Sequence, residues 1–525
     1  MSSTLTALLA DAAARADDAP AIHYSGQEIG YRTLEARARR VARGLADLGI
    51  GPGDRVAVWL PNVPAWLELQ FACARLGAIV VAVNTRFRAV EVEDIVGRSG
   101  ARVLALWPGF KDIDFLGILG ELDPAVRAGL EALILYDEGE EGTALPGAIR
   151  YRDLLDRPAL DADDAEPEVG CNIFTTSGTT KAPKFVLHHQ RGITDHARAV
   201  APAFGYDAPD AVMLMALPLC GAFGYSQVMA NLAAARPMAL MVAFDGAEAA
   251  AAIEAHRVTH MNGSDEMYRR IFEAASGPKA LSSLRHCGFG AFGGGAEELV
   301  AEGDRRGIPF IGLYGMSETQ ALYAGQWPDA VPELRARAGG FPVSPASVVR
   351  VRDPETGRLV PEGENGELEL SGPSLMAGYY GDEAATAEAM TEDGFVRTGD
   401  LGHLPGDGSF VFLTRMGDVL RLGGFLVNPE EISSHLEAHP SVAGCQVVGV
   451  DGPRGTVPAA FVIPAEGAAL SDDILAAHCA AGMAKFKVPR WFFAIDAFPV
   501  TESPNGFKIQ RAKLRRMAAE RAAGG

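Results

Sequence analysis

From Thr33 to Trp107 the apolar residues switch repeatedly between helical and strand spacing, and this alternation leaves few architectures open. Leu34, Ala38, Val41, Leu45 and Leu48 recur at helical spacing, and Gly49 stops the helix. Arg55 to Leu60 reads as a buried strand, Pro64 opens a second helix through Leu76, and Ala78 to Val83 is a second strand. A helical stretch around Val90 to Val96 leads to a third strand, Val103 to Trp107. Strands and helices in alternation predict a parallel sheet with helices on both faces. At 525 residues the chain is too long for one compact core, so two or more domains are expected.

Further on, Ala211 to Leu217 is strand-like, Gln227 to Ala235 reads as a helix, and Met238 to Phe244 as another strand. Past Gly366 the texture changes to short strands separated by turns: Glu367 to Leu370, Phe395 to Arg397 and Phe410 to Thr414. These predict a small β-rich subdomain. After Asp418 come strands over Ala443 to Val450 and Ala459 to Ile463, a helix around Asp472 to Ala481, and a basic amphipathic tail. Lys513, Arg515 and Arg516 of that tail read as a solvated helix face. The acidic, weakly patterned run from Gly139 to Pro167 is expected to cross the surface. The fold class is therefore α/β: a large N-terminal domain of stacked α/β sheets with a β-rich subdomain, residues 1–415, and a small α+β C-terminal domain, residues 416–525.

One stretch fits neither helix nor strand. Phe174-Thr-Thr-Ser-Gly-Thr-Thr-Lys-Ala-Pro-Lys184 has no apolar period after its phenylalanine, and burying it would strand hydroxyls and charges. As a loop, its hydroxyls and the backbone N–H groups around Gly178 can wrap a polyanion, and Lys181 and Lys184 can neutralise it. A solvated Ser/Thr linker is the plainer reading of the stretch alone. It is not the G-x-x-x-x-G-K-[ST] pattern. Gly288-Phe-Gly-Ala-Phe-Gly293 is a literal G-x-G-x-x-G, but the following strand, Ile308 to Tyr314, lacks the acidic residue a dinucleotide site requires.

Four more motifs follow in order: Tyr314-Gly-Met-Ser-Glu-Thr319, Thr398-Gly-Asp-Leu-Gly402, Phe412-Leu-Thr-Arg-Met-Gly-Asp418 and Asn505-Gly-Phe-Lys-Ile509. With the Thr/Ser loop they resemble the core motifs of the adenylate-forming superfamily, which holds acyl-CoA synthetases, adenylation domains and beetle luciferases. The resemblance runs from about Gly51 to the C-terminus. It implies two steps: a carboxylate attacks the α-phosphate of ATP, and a thiol then displaces AMP from the acyl adenylate. Catalysis of this kind is mainly positioning and charge stabilisation.

By this resemblance Thr176, Ser177, Gly178, Thr179, Thr180 and Lys184 grip the ATP phosphates, although Lys181 and Phe185 stand where the family has glycine. Glu318 corresponds to the Mg²⁺ ligand, an oxygen donor suited to a hard cation. Ser317 offers a hydroxyl to the α-phosphate. Tyr314 and Gly315 would meet adenine, with Gly294, Gly295 and Ala296 on its other side. Asp400 and Arg415 correspond to ribose contacts; Asp in such a turn is otherwise a turn former. Lys508 corresponds to the catalytic lysine of a mobile C-terminal domain, and Gly423, Gly424 and Phe425 to the segment lining the CoA thiol tunnel. The acid pocket is expected from Gly221, Phe223, Gly224, Tyr225, Met261, Gly263, Gly290 and Met316. Gly221 replaces a common family histidine, and Gly417 replaces the usual hinge Asp or Lys.

Composition narrows the partners. A net charge of −20 argues against broad nucleic-acid or anionic-membrane binding. Six scattered cysteines without a C-x-x-C pair fit reduced thiols in a cytoplasm. No apolar run approaches the roughly 20 residues that span a bilayer. The expectation is a cytoplasmic ATP-, Mg²⁺- and coenzyme A-dependent carboxylate–CoA ligase, with an aromatic or cyclic acid favoured over a long fatty acid and a homodimer left open. The alternatives are an adenylating enzyme that passes its acyl group to a carrier-protein thiol, an amine or oxygen, and a nucleotide-binding regulator without chemistry.

Overall fold

The computed structural model describes residues 2–16, 19–138, 145–176, 183–277, 279–290, 295–422, 425–452, 455–469, 471–483, 485–503 and 506–524. The chain forms two compact units: residues 1–291, 295–348 and 371–396, and residues 292–294, 349–370 and 397–525. The fold is mixed α/β, as the alternating pattern predicts.

In the first unit, Arg55–Trp59, Ile79–Ala82 and Val103–Leu106 pair in parallel at the centre of one sheet. Ala132–Leu135 and Gly170–Thr175 extend it on either side, and Phe185–His189 returns antiparallel beside Gly170–Thr175. The second sheet is built around Met213–Met215, His260–Ser264, His286–Gly290 and Phe310–Tyr314, all parallel neighbours. The helices Pro64–Arg75 and Ala222–Ala234 are buried around almost their whole surface, which places them inside the unit. Trp66 of the former meets Tyr225 of the latter with ring centroids 5.8 Å apart, and Tyr225 meets Phe174 of the first sheet at 5.2 Å.

Helix Ala222–Ala234 begins five residues before the stretch expected from the pattern. Its first turn holds Gly224, where a Cβ would lie 2.8 Å from the Leu217 carbonyl oxygen. A helix buried on all sides shows no amphipathic period, so its start is hidden from pattern reading. The acidic stretch also departs from expectation: it contains helix Tyr151–Leu155, whose Tyr151 is buried and donates its hydroxyl to the buried Glu68 carboxylate.

The second unit holds Gly366–Ser371, Val396–His403 and Phe410–Arg415, then a three-stranded sheet of Val442–Gly452, Gly455–Pro464 and Trp491–Ala494. Val447 and Cys445 face one apolar cluster with Leu436, Leu475 and Cys479. Val448 and Val450 face another with Phe461, Leu514 and Ala518. The period-two alternation thus buries both faces of this sheet. Hairpin Val500–Ser503/Gly506–Ile509 and helix Arg511–Gly524 close the chain. Among the described residues no helix is long and apolar enough to cross a membrane.

Candidate active site

Ligands of open parallel sheets bind beyond the carboxyl ends of the strands, and most candidate residues of the first unit lie there. Met213–Met215 leads to Gly221, Phe223, Gly224 and Tyr225. His260–Ser264 carries Met261 and Gly263, and His286–Gly290 ends on Gly290. Phe310–Tyr314 ends on Tyr314 and continues into Gly315, Met316 and the short turn Ser317–Thr319 with Glu318. Gly295 caps helix Ala296–Arg306 with φ 77°, a left-handed conformation that favours glycine. Ser177, Gly178, Thr179, Thr180, Lys181 and Gly294 lie outside the described residues.

Glu318 stands just ahead of a constrained stretch of backbone. Gln320, Ala321 and Leu322 follow it with φ 64°, 49° and 41°, three consecutive non-glycine residues in left-handed conformations. Such residues cost about 1–3 kcal/mol each and persist where surrounding contacts over-determine them. Here the contacts are explicit. The His188 Nε2 lies 2.7 Å from the Ser317 carbonyl oxygen, and the His196 Nε2 lies 3.0 Å from that of Ala321. The Ser226 hydroxyl donates to the Gln320 carbonyl. Burial pushes both imidazoles down to about 4, so near neutrality each is uncharged and donates from Nε2–H. Gly315 is required by close approach, because a Cβ there would lie 2.6 Å from Ala321.

The Glu318 carboxylate is buried and accepts a hydrogen bond of 2.9 Å from the Tyr379 hydroxyl. Burial, then the adjacent Glu318 charge, pushes the Tyr379 phenol upward, so it remains a donor. Lys184 Nζ lies 4.4 Å from the centroid of the same ring, within cation–π range. Thr176 and Lys184 flank the expected phosphate-binding stretch and are hydrogen-bonded to each other, the Thr176 amide donating to the Lys184 carbonyl at 3.0 Å and the Lys184 amide to Thr176 Oγ1 at 3.2 Å. Two of the expected phosphate and metal residues, Lys184 and Glu318, therefore meet through Tyr379, and Thr176 is tied to Lys184. Pattern reading passed over Tyr379, His188, His196 and Ser226. The only local sign of Tyr379 was its place in Gly378-Tyr-Tyr-Gly381. Phe185, where the family has glycine, is buried as the first residue of its strand, with the Arg98 guanidinium 4.0 Å from its ring centroid.

Among the acid-pocket candidates, Met261 and Tyr225 are fully buried, and Phe223 and Met316 are half-buried. A Cβ on Gly263 would touch Met261, Met267 and Tyr268 side chains at 3.3–3.6 Å. A Cβ on Gly221 would meet only the Pro218 carbonyl at 3.6 Å, so the glycine leaves space.

In the second unit Asp400 and Arg415 are directly opposed on paired strands, with Arg415 Nε 3.0 Å from Asp400 Oδ1. Lys508 pairs through its backbone with Thr501 in the last hairpin. Phe425 pairs with Leu422, while Gly423 and Gly424 lie outside the described residues. Arg515 is not a solvated charge as the tail's composition suggested: it donates to the Gly417 carbonyl and pairs with Asp418 at 3.1 Å.

In the first unit a parallel strand ends beside the buried acid Glu318, in the second Asp400 pairs with Arg415, and the comparisons show the class to be the adenylate-forming enzymes. The chain belongs to the AMP-binding enzyme family: the family pattern matches residues 9–380, and that of the family's C-terminal domain matches residues 431–504. Feruloyl-CoA synthase of an Amycolatopsis species is 34% identical over 511 residues, 95% of this chain and 96% of that protein. A methyl-dioxo-octahydroindenyl propanoyl:CoA ligase of Mycobacterium tuberculosis is 32% identical over 486 residues, 91% of each. The crystal structure of ATP-bound MatB from Rhodopseudomonas palustris matches with TM-score 0.83 at 27% identity, covering 99% of both chains. Within the family this protein is an acid–thiol ligase, an AMP-forming acyl-CoA synthetase.

Proposed function

We propose that this ligase activates an aromatic or cyclic carboxylic acid with Mg²⁺·ATP and transfers the acyl group to coenzyme A, releasing AMP and pyrophosphate. The missing side chain at Gly221, where a Cβ would meet only the Pro218 carbonyl at 3.6 Å, supports the substrate reading together with Phe223 and the small Gly263. Rings and glycines at the expected acid-binding positions suit a rigid ring better than an alkyl chain. The names of the two curated relatives, a feruloyl-CoA synthase and an octahydroindenyl propanoyl:CoA ligase, support a ring-bearing acid.

In the first step the carboxylate attacks the α-phosphorus and the bond to the pyrophosphate oxygen breaks. Lys184 and the Thr/Ser loop hold the leaving β- and γ-phosphates, Ser317 contacts the α-phosphate, and Tyr314 and Gly294–Ala296 hold adenine. Asp400 and Arg415 hold the ribose. Glu318 would hold the magnesium ion, which neutralises phosphate charge. Among the described residues no group of three or more His, Cys, Asp or Glu side chains is placed to cage a metal. A single carboxylate fits a hard cation that arrives on a polyphosphate and keeps most of its waters. Lys508 bridges carboxylate and α-phosphate. In the second step the CoA thiolate attacks the acyl carbonyl carbon and AMP leaves, after the C-terminal residues turn at the 415–418 hinge and bring Gly423, Gly424 and Phe425 to the thiol path.

ATP–pyrophosphate exchange across aryl, alicyclic and fatty acids, repeated with CoA, tests this. Exchange and thioester formation best with ring-bearing acids are expected. A clear preference for long fatty acids would overturn the substrate class, and exchange without thioester would overturn the acceptor.

A further inference from the structure

The hairpin Val500–Ser503/Gly506–Ile509 pairs with no other strand among the described residues. A lone two-stranded hairpin is marginally stable in water, so what flanks it decides where it sits. Helix Arg511–Gly524 starts two residues after it, and that helix is fastened at two places. Leu514 and Ala518 are fully buried against Val448, Val450 and Phe461. At its first turns Arg511 Nη1 lies 3.2 Å and Arg515 Nη2 3.1 Å from the two oxygens of Asp418, so one carboxylate receives both guanidinium groups. Arg515 also donates to the Gly417 carbonyl, and Arg511 reaches Gln446 Oε1 at 3.3 Å and Glu430 Oε2 at 3.4 Å. Asp418 and Arg511 are largely covered, their side chains 18% and 28% exposed, which strengthens the pair over a surface one. Ahead of the helix, the Gln510 amide donates to the Pro499 carbonyl at 2.7 Å, tying it to the base of the hairpin.

We propose that Arg511, held by Asp418 and supported by Arg515, is the positioning residue that fixes the Lys508 hairpin to the hinge segment. This rests on the reading of Lys508 as the adenylation lysine. Gly417 has no side chain to brace the hinge, and a Cβ there would meet nothing within 4 Å. The bracing falls instead to Asp418, one residue on. The lysine then moves as one piece with the hinge, and Arg511 acts only through it.

The test uses the full-length enzyme with its best acid. Arg511→Met is expected to lower ATP–pyrophosphate exchange by about tenfold to a hundredfold, the scale of an ångström-level misplacement of a reacting group. Thioester formation from supplied acyl adenylate should fall far less. Deuterium uptake by residues 499–510 should quicken, with uptake by Val442–Gly452 unchanged. In a Lys508→Ala background the same substitution should cost nothing further. Equal losses in both half-reactions, or the same loss in the Lys508→Ala background, would overturn the positioning role alone. Intact exchange in Lys508→Ala itself would overturn the lysine assignment and the positioning role with it. Asp418→Asn should reproduce the Arg511→Met pattern and serves if that variant misfolds; normal exchange in a folded Asp418→Asn enzyme also overturns the proposal.

Discussion

His188, His196, His260 and His286 are buried in the first unit, and acidification should unfold it through them. Burial lowers the first three to about 4 and His286 to about 3, from an ordinary 6.5. Well above pH 6.5, by about pH 7.5, neither state holds an appreciable proton and the four contribute almost no pH dependence. As pH falls through 6.5 the unfolded chain takes up protons that the folded chain refuses, so stability falls. Between pH 7.5 and 5.5 these values give about 1.3 kcal/mol lost per histidine and about 5 kcal/mol in all, with about 3.5 protons taken up on unfolding at pH 5.5. A loss of that size rivals the whole net stability of an ordinary domain, about 5–15 kcal/mol. Burial raises Glu68 and Glu367, which works in the opposite direction at lower pH. The assay is urea unfolding at both pH values, followed by the fluorescence of the fully buried Trp59 and Trp66, with calorimetry in two buffers to count protons. His286→Phe should remove about one proton from the count, since a phenylalanine keeps the ring packing against His260 (5.7 Å) and Phe204 (5.1 Å). A total loss under about 1 kcal/mol, or a proton count unchanged in His286→Phe, would refute the reasoning. Because folded His188 and His196 stay neutral down to about pH 4, the Glu318 turn should keep its contacts across this window, and activity should fall only as far as the enzyme unfolds.

Three further outcomes are expected. Tyr379→Phe removes the hydrogen bond to Glu318 but keeps the ring under Lys184. It should cost about 1.5–3 kcal/mol in adenylation, the worth of a hydrogen bond to a charged group, measured as kcat/KM for pyrophosphate exchange. Lys508→Ala should lose about 3 kcal/mol of transition-state stabilisation in adenylation while thioester formation from acyl adenylate is largely spared; equal damage to both half-reactions would remove the lysine from its role. Gly315→Ala drives a methyl group into Ala321, and should lower the thermal midpoint and adenylation together, with overpacking costing about 1–3 kcal/mol. An unchanged midpoint would show that the left-handed turn yields easily.

Local pattern carried far. Helix Tyr31–Asp47, strand Arg55–Trp59 and helix Pro64–Arg75 lie within a few residues of their expected limits, because spacing, Pro64 and Gly49 act on the nearest turn of chain. Glu318, Asp400, Arg415 and Lys508 were singled out because each stands in a short ordered motif. The span of helix Ala222–Ala234 was not, since burial on all sides erases periodicity. Arg515 was misjudged because composition shows a charge and not its partner, which lies 97 residues away.

What the sequence by itself determined is therefore the alternation of elements, the family, and the residues that carry charge and hydroxyls. Only the tertiary structure decided how they are held. Tyr379 reaches Glu318 across 61 residues, and His196 grips the Ala321 carbonyl across 125. Periodicity and turn chemistry act over a few residues, whereas those contacts exist only once strand pairing and helix packing have brought distant segments together.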